Sequence, residues 1–424
     1  MELAAVQRRT LRLLFLTQII SGIGVSIGAS VGALLAADIA GVGVSGLAQS
    51  AIVVGAALFA LPATAIVNRH GRRPSLAAGY FVAAVGAIVI VTAAVRGSIP
   101  LLFAGFFLLG GATAANFQAR YAAVDLAPAV LRGRHLSLIV WATTLGAVVG
   151  PSLAPLAGAS VGRYGVPILA GPFVFSALLF GLATVLLMLL LRPDPAVVAR
   201  AAIGHLGAPA SGPRRAGMRA ALRVVMSQAP ARLGVSAMAI GNLVMIGVMA
   251  MTPVHIKGAG HDAAHTLSIV GLVLSFHVAR MFAFSPVFGW LTDRLGRRPI
   301  IFAGIALLLT ACALAGTAGY DSSRLAGGLM VLGLGWSATM VAGSTLLSDS
   351  IPVELRPSAQ GLSDLVMGLA GATAGALSGV VVATWSYPTL TLLAALATAP
   401  LIVLACFAAA RSPHRAGAVE TVER

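Results

Sequence analysis

The residues whose types and spacing carry chemistry in this chain are few and clustered. The densest cluster is Gly289-Trp290-Leu291-Thr292-Asp293-Arg294-Leu295-Gly296-Arg297-Arg298, partly repeated far upstream as Asn68-Arg69-His70-Gly71-Arg72-Arg73. Each lies between long apolar runs and is too charged for hydrocarbon, so each is expected as a tight loop joining two membrane spans. Gly71 and Gly296 permit positive φ and a sharp reversal. Asp293 can cap a helix start or hold a nearby arginine through a charge-assisted bond. Upstream, Asn68 stands where the acid would be and Thr64 where the leading glycine would be. The chemistry on offer is electrostatic latching rather than bond making.

A second set of residues is placed where charge is costly. Arg280 is expected near the middle of an apolar run, where a cation costs from about 2.5 to over 10 kcal/mol and must face protein or water. His277, three residues earlier, shares its helix face, so the two could take an anion or respond to protonation. The alternative is structural: Arg280 pairs with a carbonyl or with Asp364. Asp364 is the acid clearly inside a span, either a proton carrier or a helix-end acid. Gln18, Ser21, Ser26, Asn116, Gln118, Asn242, Trp336 and Thr339 add polar or aromatic handles to otherwise apolar runs.

Other chemistries are weaker. His261-Asp262-Ala263-Ala264-His265, near His255, has the i, i+4 histidines of a zinc-protease helix, but aspartate replaces the glutamate and the segment opens a span. A polar outer gate is the reading preferred there, with no metal expected. The sole lysine, Lys257, lies in Val254-His255-Ile256-Lys257-Gly258, so no Walker-type phosphate loop exists. Gly333-x-Gly335-x-x-Ala338 falls inside an apolar run and reads as helix packing. No cofactor or enzymatic activity is expected.

These residues are positioned by membrane helices. Of 424 residues, 58% are hydrophobic and 9% charged, with mean hydropathy +0.97, against about a quarter charged in a soluble protein. Runs of roughly 20 residues are needed to cross hydrocarbon, and twelve are present: 13–37, 47–67, 75–95, 99–121, 135–161, 166–191, 230–252, 266–290, 299–319, 324–347, 359–384 and 388–411. The bilayer leaves the backbone no partners except its own, so all should be helices. The net charge of +16 does not form one basic face, which argues against nucleic acid. Of the 28 lysines and arginines, four (Arg96, Arg163, Lys257 and Arg324) fall on one side and two within spans, the rest on the other side. That asymmetry predicts both termini in the cytoplasm of an inner membrane. Cys312 and Cys406 fall in apolar runs and read as small core residues without a disulfide.

The chain also repeats itself. Asp125-x-x-Pro128-x-x-Leu131-Arg132 recurs as Asp349-x-x-Pro352-x-x-Leu355-Arg356, and the interval between these copies almost equals that between Gly71 and Gly296. The expected organisation is a six-helix bundle over 1–191, a Pro-, Gly- and Arg-rich cytoplasmic linker over 192–229, and a second six-helix bundle over 230–424. A short amphipathic helix over 215–228, lying on anionic headgroups, is the alternative for part of that linker.

The Gly289–Arg298 segment resembles the signature loop of the major facilitator superfamily, found between spans two and three and between eight and nine. The downstream copy matches at every defining position; the upstream copy matches in its second half. Gly146-x-x-x-Gly150-Pro151-x-x-Ala154-Pro155 in span five resembles the motif of the superfamily's drug exporters, with Ala154 and Pro155 in place of two glycines. Small residues four apart also serve ordinary helix packing. The resemblance implies an all-α membrane protein of twelve helices in two pseudo-symmetric bundles, alternating access to a midplane site, and spans one, four, seven and ten lining the cavity. It implies proton-coupled export of a small lipophilic or amphipathic compound by a monomer among membrane lipids. Span four departs: Phe106-Phe107-Leu108-Leu109-Gly110-Gly111 lacks the usual exporter arginine, and Arg120 lies lower. Uptake of an organic anion and a non-transporting membrane sensor are the alternatives.

Overall fold

The structure is a computed structural model that describes residues 3–128, 131–205, 218–352 and 355–410. Among these residues there is no strand, and twelve segments are long and apolar enough to cross a bilayer. The first six spans are α1 (Leu3–Ala40), the one-turn α2 (Val42–Ser45) leading into α3 (Leu47–His70), then α4 (Arg72–Arg96), α5 (Ile99–Ala122), α6 (Arg132–Val161) and α7 (Gly171–Leu190). Two helices follow, α8 (Pro195–His205) and α9 (Met218–Ser227). The last six are α10 (Ala229–Lys257), α11 (Ala263–Ala283) running into α12 (Ser285–Leu295), α13 (Arg297–Gly316), α14 (Ser322–Ser350), α15 (Arg356–Thr384), and α16 (Tyr387–Leu396) with α17 (Ala399–Ala410).

Three details depart from the sequence reading. The arginine-rich signature segments are not loops. α3 runs through Asn68 and Arg69 to His70, α12 runs through Gly289, Asp293 and Arg294 to Leu295, and the turn is a single glycine in each case. Gly71 at φ 99° and Gly296 at φ 95° provide it, which is why one residue suffices. Spans eight and twelve are broken, at Phe284 and at Ala397–Thr398, just ahead of Pro286 and Pro400; proline removes an amide donor and clashes with the preceding turn. Cys312 is buried as expected, but Cys406 is exposed.

α1 is 38 residues long, about 57 Å at 1.5 Å per residue, against about 30 Å of hydrocarbon. The excess is about 27 Å, and the three turns ahead of the apolar run at Leu13 carry Arg8, Arg9 and Arg12. α9 does not lie free: Ala221 and Val225 are buried against Met238, Leu347, Ile351 and Leu362 beneath the second half. The middle of the linker, with Pro209, Pro213, Arg214 and Arg215, and the C-terminal tail lie outside the described residues, as do the side chains of Asn68, Arg132, Arg134, Arg163 and Arg356.

The two halves meet on the arginine-poor side. Lys257 at the end of α10 bonds Asp38 near the end of α1 at 2.5 Å, so this pair joins the halves. Ser50 donates to the Ala372 carbonyl at 2.6 Å, and Ser152 and Ser275 share a bond at 2.7 Å. A Cβ on Gly46 would collide with the Gly375 carbonyl, and one on Gly379 would lie 2.8 Å from the Val42 carbonyl. Removing side chains lets backbones touch, the usual way membrane helices gain dispersion contact.

Candidate transport site

Each signature turn is held by the motif repeated after it. Arg72 Nε and Nη2 donate to Asp125 Oδ2 and Oδ1 at 2.9 and 3.1 Å, a bidentate fork, and Nη1 donates to Gln118 at 2.7 Å. In the second half Arg297 Nε donates to Asp349 Oδ2 at 2.9 Å, and Arg297 also approaches Asp293 at 3.8 Å. The two repeats found separately in the sequence are the two ends of one contact. Gln118, expected at the cavity wall, belongs to this fork and also reaches Thr64 at 3.3 Å. Arg294 stacks on Trp290, 5.3 Å from its centroid; Arg69 is exposed, and Arg298 is partly buried.

The upstream turn has an acid that the sequence reading missed. Asp194, just after α7, accepts the Arg73 backbone N–H at 2.7 Å through Oδ2, and those of Ala196 and Val197 at 2.9 and 3.2 Å through Oδ1. One carboxylate thus caps two helix starts, where partial positive charge favours it. A Cβ on Gly71 would lie 2.5 Å from that carboxyl group.

The exporter-like segment packs rather than opens. Gly146 abuts the Ile19 carbonyl, Gly150 lies against Ile23 and Ile27, and Gly22 opposes the Thr143 carbonyl, so α1 and α6 cross backbone to backbone. Pro151 and Pro155 face α11, where Gly271 sits on the Pro151 carbonyl.

The expected cavity residues divide sharply. In the first half Gln18, Ser21 and Asn116 are buried and consumed by one another. Gln18 Nε2 donates to Tyr80 Oη at 2.8 Å; Tyr80 and Ser21 donate to Asn116 Oδ1 at 2.7 and 2.8 Å; Thr143 donates to Gln18 Oε1 at 2.9 Å. These residues do not line a cavity, which corrects the expectation. Tyr80 and Thr143 gave no sequence signal, because a lone tyrosine or threonine in an apolar run is unremarkable. Thr339 is likewise buried between Gly241 and Gly304.

In the second half the counterpart stays open. Asn242 follows Gln18 at the same interval that separates Asp349 from Asp125. Its amide donates to the Met367 carbonyl at 3.0 Å and its oxygen accepts Trp336 Nε1–H at 3.2 Å. Phe282 meets Trp336 edge to face at 5.9 Å. All three are partly exposed. They form a polar-tipped aromatic wall, the kind of surface that takes a flat amphipathic ligand.

Arg280 and His277 do not act on one face. His277 is fully buried with Nδ1 bonded to the Leu329 carbonyl at 2.6 Å, whereas Arg280 is exposed, 5.4 Å from the Phe284 ring centroid. Three residues fall short of a full helical turn, and that shortfall puts one against α14 and the other outside the core. The pairing of Arg280 with Asp364, the structural alternative for that arginine, is absent. Asp364 is exposed, and the charge it feels is that of Arg120 on α5, in the opposite half. The two make no ion pair, and Arg120 Nε has no hydrogen-bond partner.

On the arginine-poor side His255 is stacked between Tyr387 at 4.3 Å and Tyr320 at 5.2 Å, and Asp262 caps α11 through the His265 amide. Among the described residues no group of three histidine, cysteine or acid side chains could hold a metal. A cavity of about 60 Å³ lies between the halves, lined by Ser26, Ser30, Gln49, Pro151, Pro253 and Leu274 among others. Ser26, which donates to the Ala147 carbonyl at 2.8 Å, lines it together with Gln49, a residue the sequence did not single out.

The sequence matches the model of the Major Facilitator Superfamily over residues 14–276 and 262–424. It is 39% identical over 400 residues to the uncharacterized MFS-type transporter YdeG of Bacillus subtilis (strain 168), covering 94% of this chain and 91% of the relative. It is 29% identical over 375 residues to the riboflavin transporter RfnT of Brucella anthropi, covering 86% of each. Among solved structures, the nucleoside transporter NupG aligns over 96% of this chain and 100% of its own with TM-score 0.72 at 14% identity. A D-xylose–proton symporter aligns over 92% and 96% with TM-score 0.64 at 19% identity.

Proposed function

Because the chain belongs to the major facilitator superfamily it is a secondary transporter and not an enzyme, and we propose that it exports a small, flat, amphipathic compound in exchange for protons by alternating access. The observation that carries this reading is the asymmetry of the two halves. The polar residues of the first half are satisfied internally, while Asn242, Trp336 and Phe282 keep open faces. Stacking is the natural use of such a wall, and the flat ring system of riboflavin, the compound named for the Brucella relative, is one ligand class it suits.

The asymmetric placement of arginines supports an inner-membrane orientation with both termini in the cytoplasm. In that orientation the contacts between halves close the outer side, and Arg120 and Asp364 oppose each other near the inner one. Asp364 is the exposed acid on this route and serves as the proton carrier. Rocking the halves would bring Arg120 onto it and close the inner side. The test is transport of flavins, nucleosides and planar cations into and out of proteoliposomes with an imposed pH gradient. The expected result is gradient-driven movement of at least one planar compound, lost in Trp336→Ala. Equal transport by Trp336→Ala and wild type would overturn the assignment.

A second reading is favoured by Arg280, exposed and without an ion pair among the described residues. It is uptake of an organic anion, for which Arg280→Ala should abolish transport and leave neutral compounds unaffected.

A further inference from the structure

The arginines that open α1 form a feature that transport does not use. Arg8, Arg9 and Arg12 are all exposed, and with Leu13, Leu16 and Leu190 they line a groove of about 530 Å³ between the start of α1 and the end of α7. None makes an ion pair with a described residue. Their placement is unfavourable as it stands. No acid lies in the first turn of α1 to offset their charge. Arg8 and Arg12, four apart, also repel across one turn. All of these costs are relieved by an anion in the groove.

The groove also says which anion. Its walls change along α1 from cationic at Arg8, Arg9 and Arg12 to apolar at Leu13 and Leu16, with Leu190 facing from α7. That change falls where the apolar run begins, at the boundary between headgroups and hydrocarbon. Leu16 and Leu190 are 47% and 43% exposed, so an apolar tail has surface to cover. We infer that this groove is a binding site for an anionic phospholipid of the leaflet on the arginine-rich side, its phosphate among Arg8, Arg9 and Arg12 and an acyl chain along Leu16 and Leu190. A free phosphate or a soluble organic anion would use the arginines and leave the leucines uncovered. The inference does not depend on which compound the protein transports.

The test is native mass spectrometry of the full-length, detergent-solubilised protein titrated with phosphatidylglycerol, phosphatidylcholine or inorganic phosphate. Phosphatidylglycerol is expected to form a discrete adduct that phosphatidylcholine does not. Combined Arg8→Gln, Arg9→Gln and Arg12→Gln should weaken it on the order of 100-fold, since each basic residue near an anionic lipid surface contributes roughly a factor of five. Leu190→Ser, with no change of charge, should weaken it several-fold. Arg219→Gln with Arg223→Gln, which alters the exposed basic face of α9 instead, should leave it unchanged. Unaltered thermal unfolding shows that each variant is folded. Equal loss in the α9 variant, indifference to Leu190→Ser, or inorganic phosphate competing at equal concentration would each overturn the site.

Discussion

Arg72 grips Asp125 through two parallel N–H···O bonds, and at the equivalent turn of the second half Arg297 meets Asp349 through one. The upstream pair is 13% and 16% exposed, the downstream pair 32% and 50%. Asp125→Asn leaves a sheltered guanidinium short of its partner and is expected to destabilise by about 1.5–3 kcal/mol, the range for hydrogen bonds to charged groups. Asp349→Asn should cost about 1 kcal/mol or less, as for solvent-screened pairs. Thermal unfolding of both variants in one detergent checks the order; equal losses would contradict the geometry.

Gly46→Val is expected to abolish transport without unfolding either bundle. The new side chain would strike the Gly375 backbone in the opposite half, and backbone cannot yield as a flexible side chain does. The outer closure would be lost while each bundle's own core stays intact. Size-exclusion and unfolding profiles like wild type, with transport at background, are the expected pair of results.

Breaking the Asp38–Lys257 contact should have a smaller, directional effect. Its partners are 50% and 39% exposed, so the pair contributes roughly 0–1 kcal/mol, or at most about fivefold in a population. Lys257→Met should therefore raise labelling of a cysteine placed at Ser26, in the cavity between the halves, by up to about fivefold from the arginine-poor side. Unchanged labelling would remove the pair from the closure.

Tyr80→Phe and Asn242→Ala are expected to fail in opposite ways. Tyr80 holds the first half's buried network, so losing its hydroxyl orphans the Gln18 amide and takes one of two donors from Asn116, at about 1–3 kcal/mol, seen as a lower unfolding temperature with apparent substrate affinity unchanged. Asn242→Ala frees Trp336 from its anchor and should weaken apparent affinity about tenfold with little loss of stability.

Asp364→Asn should remove the pH-gradient dependence of transport while leaving movement of substrate down its own gradient. If gradient-driven transport persists, the proton is carried elsewhere.

The twelve spans were legible because hydrocarbon allows the backbone no solution except helices, and the repeat was legible because Asp125 and Asp349 fall in matching frames. The sequence located both ends of the Arg72–Asp125 contact without showing that they touch, since a periodic pattern gives faces but not partners. Gln18 and Asn242 illustrate the remaining limit. They occupy corresponding positions as similar amides, yet one is sealed among Tyr80 and Thr143 and the other is open. That difference depends on neighbours from three other helices, which no single stretch of sequence displays. His277 and Arg280 misled for a related reason: a fraction of one helical turn separates a core face from an exposed one.

Asp194 fastens the start of α8 to the first half, and Ala221 and Val225 fasten α9 to the second. The chain between His205 and Met218 can reach at most about 47 Å when fully drawn out. Each bundle thus takes its own docked helix along as it turns. The length of the segment joining them limits how far the bundles can part. If the bundles rock as proposed, the glycine-lined faces where the halves touch are the surfaces on which they would turn.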